Sequence, residues 1–178
     1  MAAIQSMTEI LPDILDVGLV LVFCGTAASR ASARHRAYYA NPGNSFWPTL
    51  RQVGFTRRLY QPSEFRKLLD LRIGLTDVAK GSAGSDADLK PSDYNPGALE
   101  EKMLRLRPQI LAFTSKAAWR AWKGAAPSQA VAWGWQEDIL GNTRIYVLPS
   151  PSGAARRYWD LEPWQALAED YRSRMREF

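Results

Sequence analysis

The chain has 178 residues, 46% of them hydrophobic and 23% charged, which suits one globular domain (residues 1–178) with a substantial core. Twenty-three Lys and Arg against 18 Asp and Glu give a formal charge of +5 and a pI near 9.5, a balance that favours a polyanionic partner. A single cysteine excludes a disulfide framework; with no apolar run of the roughly 18 residues needed to span a bilayer and no basic secretory start, the expectation is a soluble, cytoplasmic protein with no membrane partner.

Elements alternate along the chain. Leu19 to Cys24 is a nearly continuous apolar run ended by Gly25, as expected of a strand buried on both faces. Pro62 to Leu71 places Phe65, Leu68, Leu69 and Leu71 on one helical face behind the cap candidate Ser63. Lys80 to Asp93 is polar and Gly/Ser-rich and reads as a loop. Asn95 to Arg107 combines an Asn cap, Pro in the first turn, acidic residues early and basic residues late, the order that a helix dipole favours. Ile110 to Thr114 and Ile145 to Leu148 repeat the buried-strand pattern, with a helix from Ser115 to Lys123 between them. Gly141-Asn142 reads as a tight hairpin turn feeding the last strand, and Glu162 to Met175 as a closing helix. Strands alternating with helices predict an α/β fold with helices on both faces of a mainly parallel sheet.

Two loops leave such strands. The first runs from Phe23 to Trp47 (FCGTAASRASARHRAYYANPGNSFW), the second from Leu148 to Arg156 (LPSPSGAAR). The carboxyl ends of parallel strands lie side by side, so both loops should face one cleft. Neither a GxGxxG nor a GxxxxGK[ST] phosphate loop is present, which ranks a nucleotide-binding protein of another kind last. No Cys/His cluster suggests zinc and no CxxC an iron–sulfur centre, so no metal or cofactor is expected.

VLVFCG, then ANPGNSFWPTLRQVGFT, then LPSPSGAAR resemble the mismatch-specific uracil-DNA glycosylase and thymine-DNA glycosylase family, within the uracil-DNA glycosylase superfamily. The likeness runs from about Leu15 to Tyr171 and is most specific over Asn41 to Thr56. It implies a three-layer αβα sandwich around a four-stranded, mainly parallel sheet, a monomer, and a DNA partner carrying uracil or abasic sites. Breaking an N-glycosidic bond builds positive charge on the sugar and negative charge on the leaving base, so oriented dipoles and a positioned water can carry catalysis. A duplex hides that bond, and the nucleotide must turn out of the stack into a snug pocket.

The resemblance gives roles to particular positions. Tyr39 matches the aromatic residue that stacks on the everted base, with Tyr38, Phe46 and Trp47 shaping the pocket or the core behind it; the backbone of Gly25, Thr26, Ala27 and Tyr39 would border the base. Asn41 either meets the base edge or forms the turn, and Asn44 caps the following helix. Ser150, Ser152, Gly153, Ala154 and Ala155 allow close approach to the phosphate backbone, Arg156 and Arg157 supply cationic contact, and Arg30 lies in a basic stretch ending at Arg36. Tyr39 and the Pro149–Arg156 turn should line opposite walls of a single slot.

The sequence departs from the family at three points. Ala27 stands where the family has the Asn that orients the attacking water, and a methyl group cannot do so. Ala154 replaces a bulky wedge, leaving Arg156, Arg157 or Tyr158 to fill the gap in a duplex. Leu148 stands where a related branch has His. Asp77 is the best substitute for the missing Asn, as a carboxylate able to activate water or stabilise an oxocarbenium-like sugar; its alternative is a helix cap. Ser29, Arg30 and His35 are weaker candidates. Two functions follow: a monofunctional uracil-DNA glycosylase that leaves an abasic site, or a catalytically weak or inactive protein of the same fold that binds uracil or abasic DNA.

Overall fold

The computed structural model describes residues 8–178. Among these, a five-stranded sheet has the order β2-β1-β3-β5-β4, with β1 Leu21–Ala28, β2 Ile73–Ala83, β3 Ile110–Phe113, β4 Gly134–Leu140 and β5 Thr143–Val147. The first four strands of that order run parallel; β4 returns antiparallel to β5 across the expected Gly141-Asn142 turn, pairing Leu140 with Thr143. The α/β sandwich agrees with the sequence, although the sheet has five strands where the resemblance implies four.

Alternation along β1 builds the two core layers. Leu21 and Phe23 face α2 (Phe46–Val53) and α5 (Glu162–Met175), where Phe23 meets Phe46 and Phe55 edge-on and stacks on Trp164 at 5.7 Å. Val22 and Cys24 face α3 (Pro96–Leu106) and α4 (Lys116–Lys123) through Leu99, Met103, Trp119 and Trp122. The Cys24 thiol is wholly buried, and burial pushes its pKa well up, so it behaves as a small apolar side chain.

Local chemistry sets the helix ends as the sequence implies. Asn95 and Ser115 each accept a hydrogen bond, from the Ala98 and Ala118 amides respectively. Asn44 accepts from the Phe46 amide at 2.9 Å, tying off the start of α2. Pro62–Leu71 is helical but wound as 3₁₀, with Phe65 and Leu68 buried; its N-cap is Gln61, whose backbone amide donates to Glu64 at 2.9 Å, and not the expected Ser63, which lies inside the first turn.

β2 corrects two expectations. The segment Lys80 to Asp93 is not all loop, because β2 continues through Lys80 to Ala83; and Asp77 is not a helix cap, because it lies mid-strand opposite Gly25. Small and polar residues conceal this strand, and its outer edge is covered by the preceding segment, where Ile14 exchanges backbone hydrogen bonds with Leu75 and Ile10 donates to the Lys80 carbonyl.

Candidate active site

Gly25 and Asp77, mid-strand in β1 and β2, come together with Thr114, which directly follows β3. Gly25 pairs with Asp77 across β1 and β2, and the Thr114 amide donates to the Cys24 carbonyl at 2.9 Å. Three groups fill the space that residue 25, lacking a side chain, leaves: a Cβ there would stand 2.6 Å from Asp77 Oδ1, 3.4 Å from the Tyr39 hydroxyl and 3.6 Å from Thr114 Oγ1, so this niche is closed in the structure. Gly25 and Ala27 occupy the same strand face, with the half-buried Ala27 methyl the next residue outward.

Tyr39 closes the niche from above. Its ring stacks on Phe46 with centroids 3.9 Å apart, and its hydroxyl shares a 3.1 Å hydrogen bond with Thr114. The backbone is held at φ 52°, a left-handed conformation costly for an aromatic residue. Arg36, Arg72 and Arg107 share that conformation as caps after helical segments, whereas Tyr39 follows none directly. Its amide donates to no acceptor among the described residues. Burial, then the Asp77 charge, push the Tyr39 hydroxyl well above its ordinary pKa and keep it neutral.

Asp77 is 6% exposed, and no hydrogen-bond donor among the described residues reaches its carboxylate. Burial raises its pKa to about 6, opposed by Lys80 and reinforced by Asp13. Its charged neighbours are themselves paired: Asp13 accepts from Thr76 Oγ1 at 2.7 Å, from Lys80 at 3.0 Å and from Lys102, while Lys80 also donates to the Tyr38 hydroxyl at 3.0 Å. Burial alone would raise the Asp13 pKa, but Lys80, with hydrogen bonds from Lys102 and Thr76, holds it below the usual carboxylate value. Asp77 therefore lies beside a paired ion network without a protein hydrogen-bond partner of its own among the described residues. It also contributes to a recess of about 210 Å³ shared with Lys80, Asn95 and Lys102.

The two loops meet as expected, but they touch more closely than a slot requires. The Ser45 amide donates to the Pro151 carbonyl at 2.9 Å and its hydroxyl to the same oxygen at 3.2 Å. Gly153 lies so near Gly43 that a Cβ would meet the Gly43 carbonyl at 3.0 Å. A recess of about 230 Å³ remains at the junction, lined by Gly43, Ser45, Ser150, Pro151, Ser152, Arg156 and Trp159. Its lining does not include Tyr39, so the expected pair of opposite walls is corrected: the loop contact lies between the turn and the Tyr39 ring.

Other sequence candidates separate. Asn41 is an exposed turn former whose carboxamide oxygen accepts from the Gly43 amide at 2.9 Å. Trp47 and Phe46 are core residues, with the Trp47 indole donating to the Tyr38 carbonyl. Thr26 is buried in β1. Ser150 and Ser152 accept hydrogen bonds from the Ser152 and Ala154 amides, shaping the turn. Ala154, Arg156, Arg157 and Tyr158 are exposed and Ala155 half-buried; Arg157 bonds the Tyr158 hydroxyl and lies over its ring, leaving Arg156 the freer cation. Arg30 sits on α1 (Arg30–His35), exposed, 3.5 Å from Asp88; Ser29 caps that helix and His35 ends it, exposed. Sequence reasoning missed Thr114, whose only signal was its place at the end of a buried strand. Among the described residues no group of three or more His, Cys, Asp or Glu side chains is placed to hold a metal ion.

The family model for the Uracil DNA glycosylase superfamily matches residues 12–170. The chain belongs to that superfamily. The solution NMR structure of a candidate uracil DNA glycosylase from Methanosarcina acetivorans is similar over 91% of this chain and 96% of its own, with a TM-score of 0.58 and 24% identity, a likeness of fold. The superfamily match spans every element that builds the niche, from Asp13 to the turn after β5.

Proposed function

We propose that the chain is a monofunctional DNA glycosylase of the mismatch-specific uracil and thymine-DNA glycosylase type, hydrolysing the N-glycosidic bond of uracil turned out of the DNA. The observation that carries this reading is the unpartnered, buried Asp77 carboxylate at the foot of a niche bordered by Gly25, Tyr39 and Thr114. A carboxylate buried to this degree is normally paired; one left without a protein partner at the wall of a recess, with its pKa raised to about 6, is mostly deprotonated at pH 7 and ready to accept a proton.

In the proposed reaction a water molecule adds to the anomeric carbon of the deoxyribose and passes a proton to Asp77. The bond to the base breaks, and its electron pair leaves with the uracil ring. The free Tyr39 amide stabilises the charge that develops on the base edge, and the neutral Tyr39 ring excludes bulk water. Asp77 thereby takes on the work of the Asn that Ala27 replaces. Entry of the base requires the Ser45–Pro151 contact to part or the Tyr39 ring to swing away from Phe46.

DNA carrying uracil is the proposed partner, with Arg30, Arg156 and Arg157 contacting phosphates and Ser152, Gly153, Ala154 and Ala155 letting the backbone approach; a cytoplasmic monomer is the proposed setting. The test is incubation with uracil-containing single-stranded and duplex oligonucleotides followed by alkali. Cleavage by the parent protein and at least about 100-fold slower cleavage by Asp77→Asn are expected. Binding without cleavage would favour the second reading, a catalytically weak binder, which Ala27 and the closed loop contact also suit.

A further inference from the structure

Lys80 bears on both halves of the candidate site. It follows Asp77 by three residues on β2, its side chain is 14% exposed, and its ammonium stands 3.0 Å from Asp13 Oδ1 while donating to the Tyr38 hydroxyl at 3.0 Å. The Tyr38 hydroxyl donates onward to the Pro12 carbonyl at 3.1 Å, so the buried residue immediately before Tyr39 is held from two sides. An ammonium carries three N–H groups, and the one left over finds no acceptor among the described residues. Lys80 and Asp77 both line the recess of about 210 Å³, a volume that admits bridging water between ammonium and carboxylate.

The charges around Asp77 come from several elements. Asp13 precedes β1, Lys80 lies on β2 and Lys102 on α3, and Glu9 and Asp93 contribute to the recess wall. Tyr38, Tyr39 and Cys24 also feel the Asp77 charge, but burial pushes all three pKa values up and keeps these groups neutral. Lys102 is bound by Asp13 and lies 3.6 Å from Glu9, while Asp93 accepts from the Ser82 hydroxyl at 2.7 Å and the Lys90 amide at 2.6 Å. With Asp77 ionised, Lys80 and Lys102 balance Asp13 and Asp77; without Lys80, both carboxylates would depend on Lys102. The two nearest charges act on Asp77 in opposite senses, Lys80 favouring its ionised form and Asp13 opposing it.

We propose that Lys80 is a positioning residue for excision: anchored by Asp13 and Tyr38, its ammonium holds Asp77 in the charged form across the shared recess and, through Tyr38, fixes the turn that presents Tyr39. The proposal rests on the glycosylase reading for the work that Asp77 does. Lys80 touches neither base nor sugar in this scheme and acts only through Asp77 and Tyr38. The arrangement also gives the segment before β1 a part in the chemistry, since Asp13 anchors both lysines and is itself tied to β2 by Thr76.

The test is a carbon-13 NMR titration of the full chain, with the Asp77 carboxyl signal assigned by its loss in Asp77→Asn. Lys80→Met should raise the Asp77 midpoint by about 1 pH unit or more, and Asp13→Asn should lower it. Lys80→Arg, which keeps the charge, should keep the parent's midpoint. Uracil excision should follow the same order, with Lys80→Met about 10-fold slower near pH 6 and recovering toward the parent by about pH 8. Should Lys80→Met fail to fold, Lys80→Gln, which can still donate to Tyr38, replaces it. An unmoved midpoint in the uncharged variant overturns the proposal, and so does a midpoint that Asp13→Asn and Lys80→Met move in the same direction, the result of a merely loosened site. The titration is read independently of excision: opposite midpoint shifts in a protein that releases no uracil would overturn the glycosylase reading alone, and uracil release with an unmoved midpoint would overturn the role of Lys80 alone.

Discussion

Asp77 occupies the space that any side chain at Gly25 would need. Strand pairing sets the two residues side by side, and a Cβ at Gly25 would stand 2.6 Å from Asp77 Oδ1, inside van der Waals contact. Gly25→Ala should therefore leave the sheet intact while turning the carboxylate out of the niche. Excision should fall about 100-fold or more, with an unchanged far-UV circular dichroism spectrum. Retention of full activity in a folded Gly25→Ala protein would show that the position of the carboxylate does not matter.

The raised pKa of Asp77 makes activity and stability respond to pH in opposite directions. Burial lifts it from 3.8 to about 6, so the folded state holds the proton more tightly than the unfolded chain does. Between about pH 4 and 6 unfolding releases that proton, and stability falls as pH rises; above the folded pKa the penalty is fully present. Two pKa units correspond to on the order of 2–3 kcal/mol. Asp77→Asn should thus gain stability of that order at about pH 8 and little at about pH 4, measured by urea denaturation, while the parent's excision rate climbs with pH through about 6. A variant destabilised equally at both pH values would mean that the carboxylate is structurally paired.

Much of this fold was legible because the central strands and the helix ends are written in local chemistry. Leu21 to Cys24 is apolar on both faces, and Asn95 and Ser115 are capping residues at their helix starts. β2 was not legible, since Gly74, Thr76, Asp77 and Lys80 carry no strand pattern and are held there by pairing with β1 and by the Ile14 segment outside it. Within the site, Tyr39 and Asp77 were both singled out from the sequence, but the aim of Tyr39 was not. Its hydroxyl partner Thr114 is 75 residues away, and only the parallel register of β1 and β3 brings the two together. The contact between Ser45 and Pro151 spans 106 residues and is equally invisible to local pattern.

The Tyr39–Thr114 pair yields a prediction about stability. Thr114→Val preserves shape but removes the hydroxyl, leaving the deeply placed Tyr39 oxygen without that partner at a cost of about 1–3 kcal/mol. Thr114→Ser should restore most of it. Thermal denaturation of both variants checks this, and a Thr114→Val protein as stable as the parent would show that the tyrosine finds another partner.

Arg156 is the freer of the two arginines on the second loop, because Arg157 is engaged with Tyr158. If it neutralises one phosphate, Arg156→Ala should lower affinity for single-stranded DNA and reduce the slope of log K against log salt by about 0.7. Arg157→Ala, removing a cation already turned toward an aromatic ring, should change the slope less. Titrations over a range of salt concentrations separate the two, and an Arg156→Ala slope equal to that of the parent would place this guanidinium off the phosphate path. Affinity and slope need not change together. Contact with a base rather than a phosphate would lower affinity on mutation with little change in slope, so the balance between the two effects reports where the guanidinium rests when DNA is bound.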